Sequence, residues 1–257
     1  MKIQKLNWAG VKLLISGKTI LIDAVEDFSA YKPVLGQPKV DLVSFSDDTK
    51  ADYIIFTHLH FDHFDEKLIA KCLKPDGKLL IYAALKPLVD NLRANFDAIF
   101  LELEETYAED GISFKPVFAM DGIGDIQSSW IVEGEGTKVF HGGDTMWHNQ
   151  FWRLGKENKD IDYAFLPANG VTVNFTMIGL EYSPVVASLS IQQAFVAAKL
   201  LHAKCLIPMH YGLFERAPYY VPTNFGTQDL VEWSKKMEQR YLLLEDGRYL
   251  EAEEMVE

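Results

Sequence analysis

The chain has 257 residues, 48% hydrophobic and 24% charged, enough apolar material for a large buried core and unlike the make-up of a disordered tail. Its 25 Lys and Arg face 37 Asp and Glu, a formal net charge of −12 with no basic block to offset it, which argues against a nucleic-acid partner. Cys72 and Cys205 lie far apart without a CxxC spacing, and no apolar stretch has the form of a signal peptide or membrane span, so the expectation is a cytoplasmic protein without a membrane partner, one domain over 1–257.

In chain order, residues 2–6, 11–15 and 19–23 read as short strands of an antiparallel meander, separated by Ala9-Gly10 and Ser16-Gly17-Lys18. Residues 24–51, punctuated by Pro33, Gly36 and Pro38, have no period and exceed an ordinary connection, which marks a functional loop. The apolar run at 53–57 fits a strand covered on both faces. Asp65 is placed to cap a helix over 66–72, 79–82 reads as the next buried strand, and a helix follows over 84–93. Hairpins return between 112 and 141, with strands 129–133 and 138–140 joined at Gly134-Glu135-Gly136.

Trp147-His148 marks a helix start, and 162–166 is a further strand. Ser190 caps a helix whose Ile191, Ala194, Phe195, Ala198 and Leu201 share one stripe, with His202 on the same helix. Residues 204–208 make a last core strand ending at Met209-His210, and 228–239 a final amphipathic helix. Two β-rich stretches, each followed by alternating strands and helices, predict an α/β fold, a four-layer αββα sandwich of two mixed β-sheets flanked by helices. Thr57-His58, Asp144, Asn169 and His210 fall at or just after strand ends, where sites gather.

The sharpest feature is Thr57-His58-Leu59-His60-Phe61-Asp62-His63, with three of the seven histidines and an aspartate inside six residues. In an extended tip, His58 and His60 project to one side and can grip one ion, while the turn into a helix aims Asp62 and His63 at a second position. Four short ligands from one loop do not close two coordination shells. Asp144 follows a strand beside two glycines and could bridge two ions, or serve as a turn residue. His210, at the end of Leu206-Ile207-Pro208-Met209, is either a ligand or a core histidine held by backbone.

HxHxDH at 58–63, GDT at 143–145 and PMHYG at 208–212, in this order across nearly the whole chain, resemble the metallo-β-lactamase superfamily. The ADYIIFTH approach, the HGGDT form and the IPMHYG ending are similar to its lactonase-like metal-dependent hydrolases, the branch of L-ascorbate 6-phosphate lactonase. The resemblance implies an αββα sandwich with the site at one edge. It also implies one metal at His58 and His60, another at Asp62, His63 and His210, Asp144 between them, and Asp23 supporting the site from outside the ligand set. The family normally supplies a further histidine before GDT, and this chain has none from 64 to 140. Asp121 falls at about that position, as a ligand or as a turn residue beside Gly122. A carboxylate there hardens the site toward Mn, Mg or Fe relative to Zn. The expected cofactor is one or two divalent metal ions, Zn or Mn ahead of Fe or Mg. His141 fits a hydrogen-bonding role near the metals or a packing role.

A metal lowers the pKa of a bound water toward about 7 and polarises the bond that the water attacks. The expected function is therefore a metal-dependent hydrolase acting on a carbonyl (lactone-like) or phosphoryl centre of a small molecule, with Asp62 orienting the water and carrying its proton. The alternative is a non-hydrolytic redox or regulatory metal protein on the same fold; the resemblance implies a glutamate at position 60 for the diiron redox relatives, where this chain has His60. Segments 171–189 and 211–225, with Phe175, Tyr182, Phe214, Tyr219 and Tyr220, are placed to line a pocket over the metals or to form a homo-oligomer contact. Lys32 and Arg216 are the candidate anchors for an anionic substrate group, or surface cations.

Overall fold

The computed structural model describes residues 1–90 and 98–250. Strands form first where burial alternates: β1 (Lys2–Lys5), β2 (Val11–Ile15) and β3 (Lys18–Ile22) make the antiparallel meander, with Val11, Leu13 and Ile15 fully buried. The long loop that follows contains only a 3-10 turn and the short α1 (Lys32–Leu35) before β4 (Ala51–Ile55). The Asp65 carboxylate accepts hydrogen bonds from the Lys67 and Leu68 amides and starts α2 (Glu66–Cys72).

β5 (Leu73–Tyr82) begins earlier than the expected strand at 79, because the turn at Pro75-Asp76-Gly77 is absorbed in the ladder as a bulge, Leu73 pairing with Ala51 and Lys78 with Tyr53. The helix expected over 84–93 is shorter: a 3-10 turn at Ala83–Leu85 runs into α3 (Lys86–Val89), and 91–97 lie outside the described residues. β6 (Ala98–Leu101) completes a sheet ordered β1-β2-β3-β4-β5-β6, its last three pairings parallel.

The second half repeats the plan. β7 (Tyr107–Glu109), β8 (Ile112–Phe118), β9 (Ser128–Gly134) and β10 (Thr137–His141) are antiparallel neighbours. After α4 (Phe151–Glu157), β11 (Tyr163–Pro167) pairs parallel to β10. β12 (Thr172–Val173) precedes α5 (Ile191–Leu200), and β13 (Cys205–Met209) pairs parallel to β11. β14 (Tyr220–Val221) joins β12 in a two-stranded ribbon, and α6 (Thr227–Met237) follows.

α5 carries the expected Ser190 cap, completed by Gln193 into a reciprocal capping box. α4 starts at Phe151 rather than at His148, and its Gly155 is set by contact: a Cβ there would stand 1.9 Å from the Leu200 carbonyl oxygen. His202 lies past the end of α5 in the left-handed region (φ 54°), exposed.

Three apolar layers make this a four-layer αββα sandwich. Leu13, Ile20, Ile55, Phe114, Trp130 and Ile207 meet between the sheets. Leu21, Ile54 and Leu79 pack outward on Leu68 and Ile69 of α2, and Phe140, Ala164 and Leu206 pack on Phe151 and Phe195 of α4 and α5. Cys72 and Cys205 are buried thiols, not joined in a disulfide. Phe195 is fully buried, so Phe195→Ala is expected to cost about 3–5 kcal/mol, read as a lower urea midpoint with an unchanged denaturant slope.

His148 stacks on Phe151 (ring centroids 4.0 Å apart) with neither ring nitrogen hydrogen-bonded, and burial pushes its pKa down to about 4. Above the ordinary value near 6.5 the ring is neutral in both folded and unfolded chains. As pH falls toward 4 only the unfolded chain takes up the proton, so stability drops by about 1.4 kcal/mol per unit, about 3 kcal/mol over the window. Relative to wild type, His148→Leu should gain stability by that amount between pH 7 and pH 4 in urea titrations. A pH-independent difference between the two proteins would contradict this origin.

Candidate metal centre

Four strand ends converge at one edge of the sandwich. β4 leads into Thr57–His63, β8 into Asp121, β10 into Asp144 and β13 into His210, as parallel strands in α/β sheets place their sites. Two of the residues held there, Asp23 (φ 45°) and His210 (φ 57°), adopt left-handed backbone conformations, a local strain that sites concentrate.

All seven residues singled out in the sequence lie together, in two groups. His58, His60, Asp121 and Asp144 offer donor atoms within 4.8 Å of one another, and so do Asp62, His63 and His210. Within the groups, His58 Nε2 stands 3.7 Å from Asp144 Oδ1, His60 Nδ1 3.8 Å from Asp121 Oδ2, His63 Nε2 3.7 Å from Asp62 Oδ2 and His210 Nε2 3.5 Å from Asp62 Oδ2. These separations are long for hydrogen bonds. They match ligands of one ion, since two atoms at roughly 2.0–2.2 Å from a tetrahedral centre stand roughly 3.4 Å apart.

The donor set passes a second test of fit. His58 Nε2, His63 Nε2, Asp144 Oδ1 and both nitrogens of His210 are buried without any hydrogen-bond partner, an arrangement that costs free energy unless a cation satisfies it. The opposite ring nitrogens are held instead. His63 Nδ1 pairs with Asp23 Oδ2 at 2.8 Å, His58 Nδ1 with Thr57 Oγ1 at 2.9 Å, and His60 Nε2 with Asp125 Oδ2 at 2.9 Å. Such outer partners fix the tautomer and aim the free nitrogen at a metal.

Asp23 anchors this support. It is 1% exposed and accepts hydrogen bonds from the Thr57 amide and hydroxyl, both at 2.8 Å, as well as from His63. Burial raises its pKa, but His63, His141 and Thr57 outweigh that and hold the carboxyl below its ordinary range. Asp121 is both turn residue and candidate ligand: its Oδ1 accepts from the Ile123 and Asp125 amides, while Oδ2 faces His60. The adjacent Gly122 is required by close approach, since a Cβ would meet the Ala187 carbonyl oxygen at 2.1 Å.

Burial pushes the pKa of His58 well down and that of His210 to about 4, which keeps both imidazoles in the neutral, ligating form. Burial also raises Asp144, whereas His63, against its burial, is pushed up to about 9 by Asp62 and Asp23. His141 takes the hydrogen-bonding role beside the site, Nε2 on the Ala9 carbonyl at 2.8 Å and Nδ1 accepting the amide of Gly143, next to Asp144, at 3.2 Å.

Trp8 is a site residue with no sequence signal. Its indole N–H donates to Asp62 Oδ2 at 3.0 Å and its ring lies 4.1 Å from that of His210. Tyr31 was equally silent and joins Phe175 and Tyr220 in the cavity wall over the donors. The other expected aromatics are elsewhere: Phe214 is a core residue against Trp8 and Phe28, Tyr182 is 54% exposed, and Tyr219 packs on Arg216. Neither Lys32 nor Arg216 lines the cavity.

Residues 18–211 match the Beta-lactamase superfamily domain. The chain belongs to the metallo-β-lactamase superfamily. Within this superfamily it is 29% identical over 225 residues to a UPF0173 metal-dependent hydrolase of Anoxybacillus flavithermus, covering 83% of this chain and 87% of that one. The superfamily fold also appears in its solved neighbours. The isothiocyanate hydrolase from Delia radicum gut bacteria matches with a TM-score of 0.72 at 19% identity over 98% of both chains. Igni18, a metallo hydrolase from Ignicoccus hospitalis, matches with a TM-score of 0.68 at 20% identity over 97% of both. No helix among the described residues is long and apolar enough to cross a membrane.

Proposed function

We propose that this metal-dependent hydrolase acts on a carbonyl (lactone-like) or phosphoryl centre of a small molecule. One or two divalent ions would be held by His58, His60, Asp121 and Asp144 and by Asp62, His63 and His210. The observation that carries the reading is the convergence of buried, unpartnered nitrogen and oxygen donors on two points. The three carboxylates in the set fit Mn as well as Zn. When bound, the ions supply an acidified water and positive charge for the oxygen that becomes anionic.

The protein's own contribution is proton handling and orientation. The Trp8 N–H fixes the Asp62 carboxylate, whose pKa is held well below its ordinary range by His63 and His210 despite burial. An ionised Asp62 takes one proton from the attacking water as the water oxygen bonds to the substrate centre. That proton then goes to the leaving group, which departs with the electron pair of the broken bond. Two buried thiols with no disulfide suit the reducing cytoplasm as the place of action.

The test is elemental analysis of the purified chain, followed by lactone, phosphodiester and β-lactam panels with the retained metal restored. Turnover that appears with metal and vanishes on chelation is expected. Metal uptake without turnover of any hydrolytic substrate would favour the redox or regulatory alternative.

A further inference from the structure

The end of the sandwich opposite the metal centre carries positive charge. β11 and β13 run parallel, so Met209 leads to His210 at one end while Tyr163 and Cys205 start the strands at the other, roughly 16 Å away at about 3.3 Å per residue. There a cleft of about 720 Å³ opens between the strand starts, the turn after α5 and the end of α6. Lys199, His202, Lys204 and Arg240 line it. A second hollow of about 430 Å³ shares His202 and Lys204 and adds Lys156 and Lys159. Against these lysines and the arginine the two hollows set only Asp160, Asp162 and Glu238, on a chain whose net charge is −12. By contrast, no lysine or arginine occurs from 160 to 198, the stretch that carries β12 and Phe175 of the cavity over the donors.

The carboxylates leave these cations largely unneutralised. Asp162 is engaged on both sides, Oδ1 accepting from Lys204 Nζ and Oδ2 from the Lys138 amide, each at 2.7 Å. Lys199 Nζ donates to the backbone carbonyl of Glu238 at 3.2 Å. Nearby, Glu157 pairs with Arg153 and Glu133 with Lys138, and among the described residues neither Lys156 nor Lys159 forms an ion pair. Cations gathered in a concavity focus a positive potential there and draw an anion in.

The frame that presents them is built. Gln239, 4% exposed, donates through Nε2 to the carbonyls of Ala203 and Arg240, both at 3.0 Å, which ties the 202–204 turn to the chain at 240. The Lys204 amide donates to the Ile161 carbonyl at 2.9 Å and the Ala203 amide to the Ala198 carbonyl at 3.0 Å. A backbone already fixed lowers the ordering cost of binding.

We propose that this end of the fold is a second ligand site, separate from the metal centre, for a small organic molecule with a phosphate group at each of two ends. One phosphate lies in each hollow, with the His202–Lys204 turn between them. Ammonium and guanidinium groups are the protein's phosphate ligands, and the cleft has the size of a small-molecule site. The acidic surface around it disfavours a long polyanion.

The test uses the metal-loaded full chain and hexane-1,6-diphosphonate, which cannot be hydrolysed, with hexylphosphonate beside it in titration calorimetry. The diphosphonate should bind at least ten-fold more tightly than the monophosphonate, and lose at least ten-fold in affinity when salt rises from about 0.05 to about 0.5 M. Lys199→Ala and Lys159→Ala, in opposite hollows, should each weaken it by about ten-fold, the loss of one charge-assisted contact, with Tm and metal content unchanged. The His202 ring signal in NMR, assigned by its absence in His202→Gln, should shift on titration. His60→Ala should bind the diphosphonate as wild type does.

Equal affinities for the two phosphonates, or wild-type affinity in both lysine variants, would overturn the proposal. So would loss of binding in His60→Ala, which would place the phosphonates on the metal ions. A single-stranded oligonucleotide bound more tightly than the diphosphonate would overturn the small ligand in favour of a nucleic acid.

Discussion

His60→Ala should leave the purified chain with less bound metal and lower kcat/KM on any hydrolysed substrate by about 10³-fold or more. The size follows from the several kcal/mol that a metal contributes to transition-state stabilisation, at about 1.4 kcal/mol per factor of ten. His60 is the right position for the test because it is the histidine of its group nearest solvent, with a side chain 20% exposed, whereas that of His58 is fully buried. Its loss removes one of four donors, frees Asp125 Oδ2 and leaves Asp121 and Asp144 facing each other with less positive charge between them. Folding should be preserved, so circular dichroism and elemental analysis on the same sample separate metal loss from unfolding. A metal-poor His60→Ala protein with full turnover would contradict the role.

The second large effect lies outside the ligand set. Asp23→Ala strands three donors in a buried region: the Thr57 amide, the Thr57 hydroxyl and the His63 ring. Each unpaired group costs about 1–3 kcal/mol, so stability should fall by at least about 3 kcal/mol and Tm by roughly 10 °C or more. The freed His63 ring should also weaken metal binding by about 10- to 100-fold. Asp23→Asn tolerates the same left-handed backbone but presents only one accepting oxygen, so it should fall between the two proteins in both readouts. A thermal melt with and without added metal checks both. Asp23→Ala with wild-type metal affinity would show that Asp23 does not orient His63.

The fold was legible where local chemistry and tertiary packing agree. The meander, the Asp65 cap, the Ser190 cap and the buried strands all carry a period or a cap in their own residues. The extent of α4 was obscured because Gly155 breaks the helical pattern for the sake of the Leu200 carbonyl, and the early start of β5 because Pro75-Asp76-Gly77 does turn, as a bulge that the ladder steps over between the Leu73–Ala51 and Lys78–Tyr53 pairs.

At the site, a dense run such as His58 to His63 is visible because so few structures need that many imidazoles together. Asp144 and His210 became visible through their places after strand ends. Trp8 was not, because its hydrogen bond to Asp62 spans 54 positions and an isolated tryptophan after a polar residue has no pattern. The same holds for Asp125 on His60 and for the hydrogen bonds that link Ser188 through Asn169 to Tyr220, which exist only once separate loops are brought together.

The central claim is that seven side chains from four loops hold divalent cations. Elemental analysis of the full chain, dialysed after loading with Zn or Mn, tests it most directly. One or two equivalents retained by wild type, falling in His60→Ala and in His210→Ala, is the predicted result. A folded wild-type chain that retains no divalent ion under either loading would contradict it.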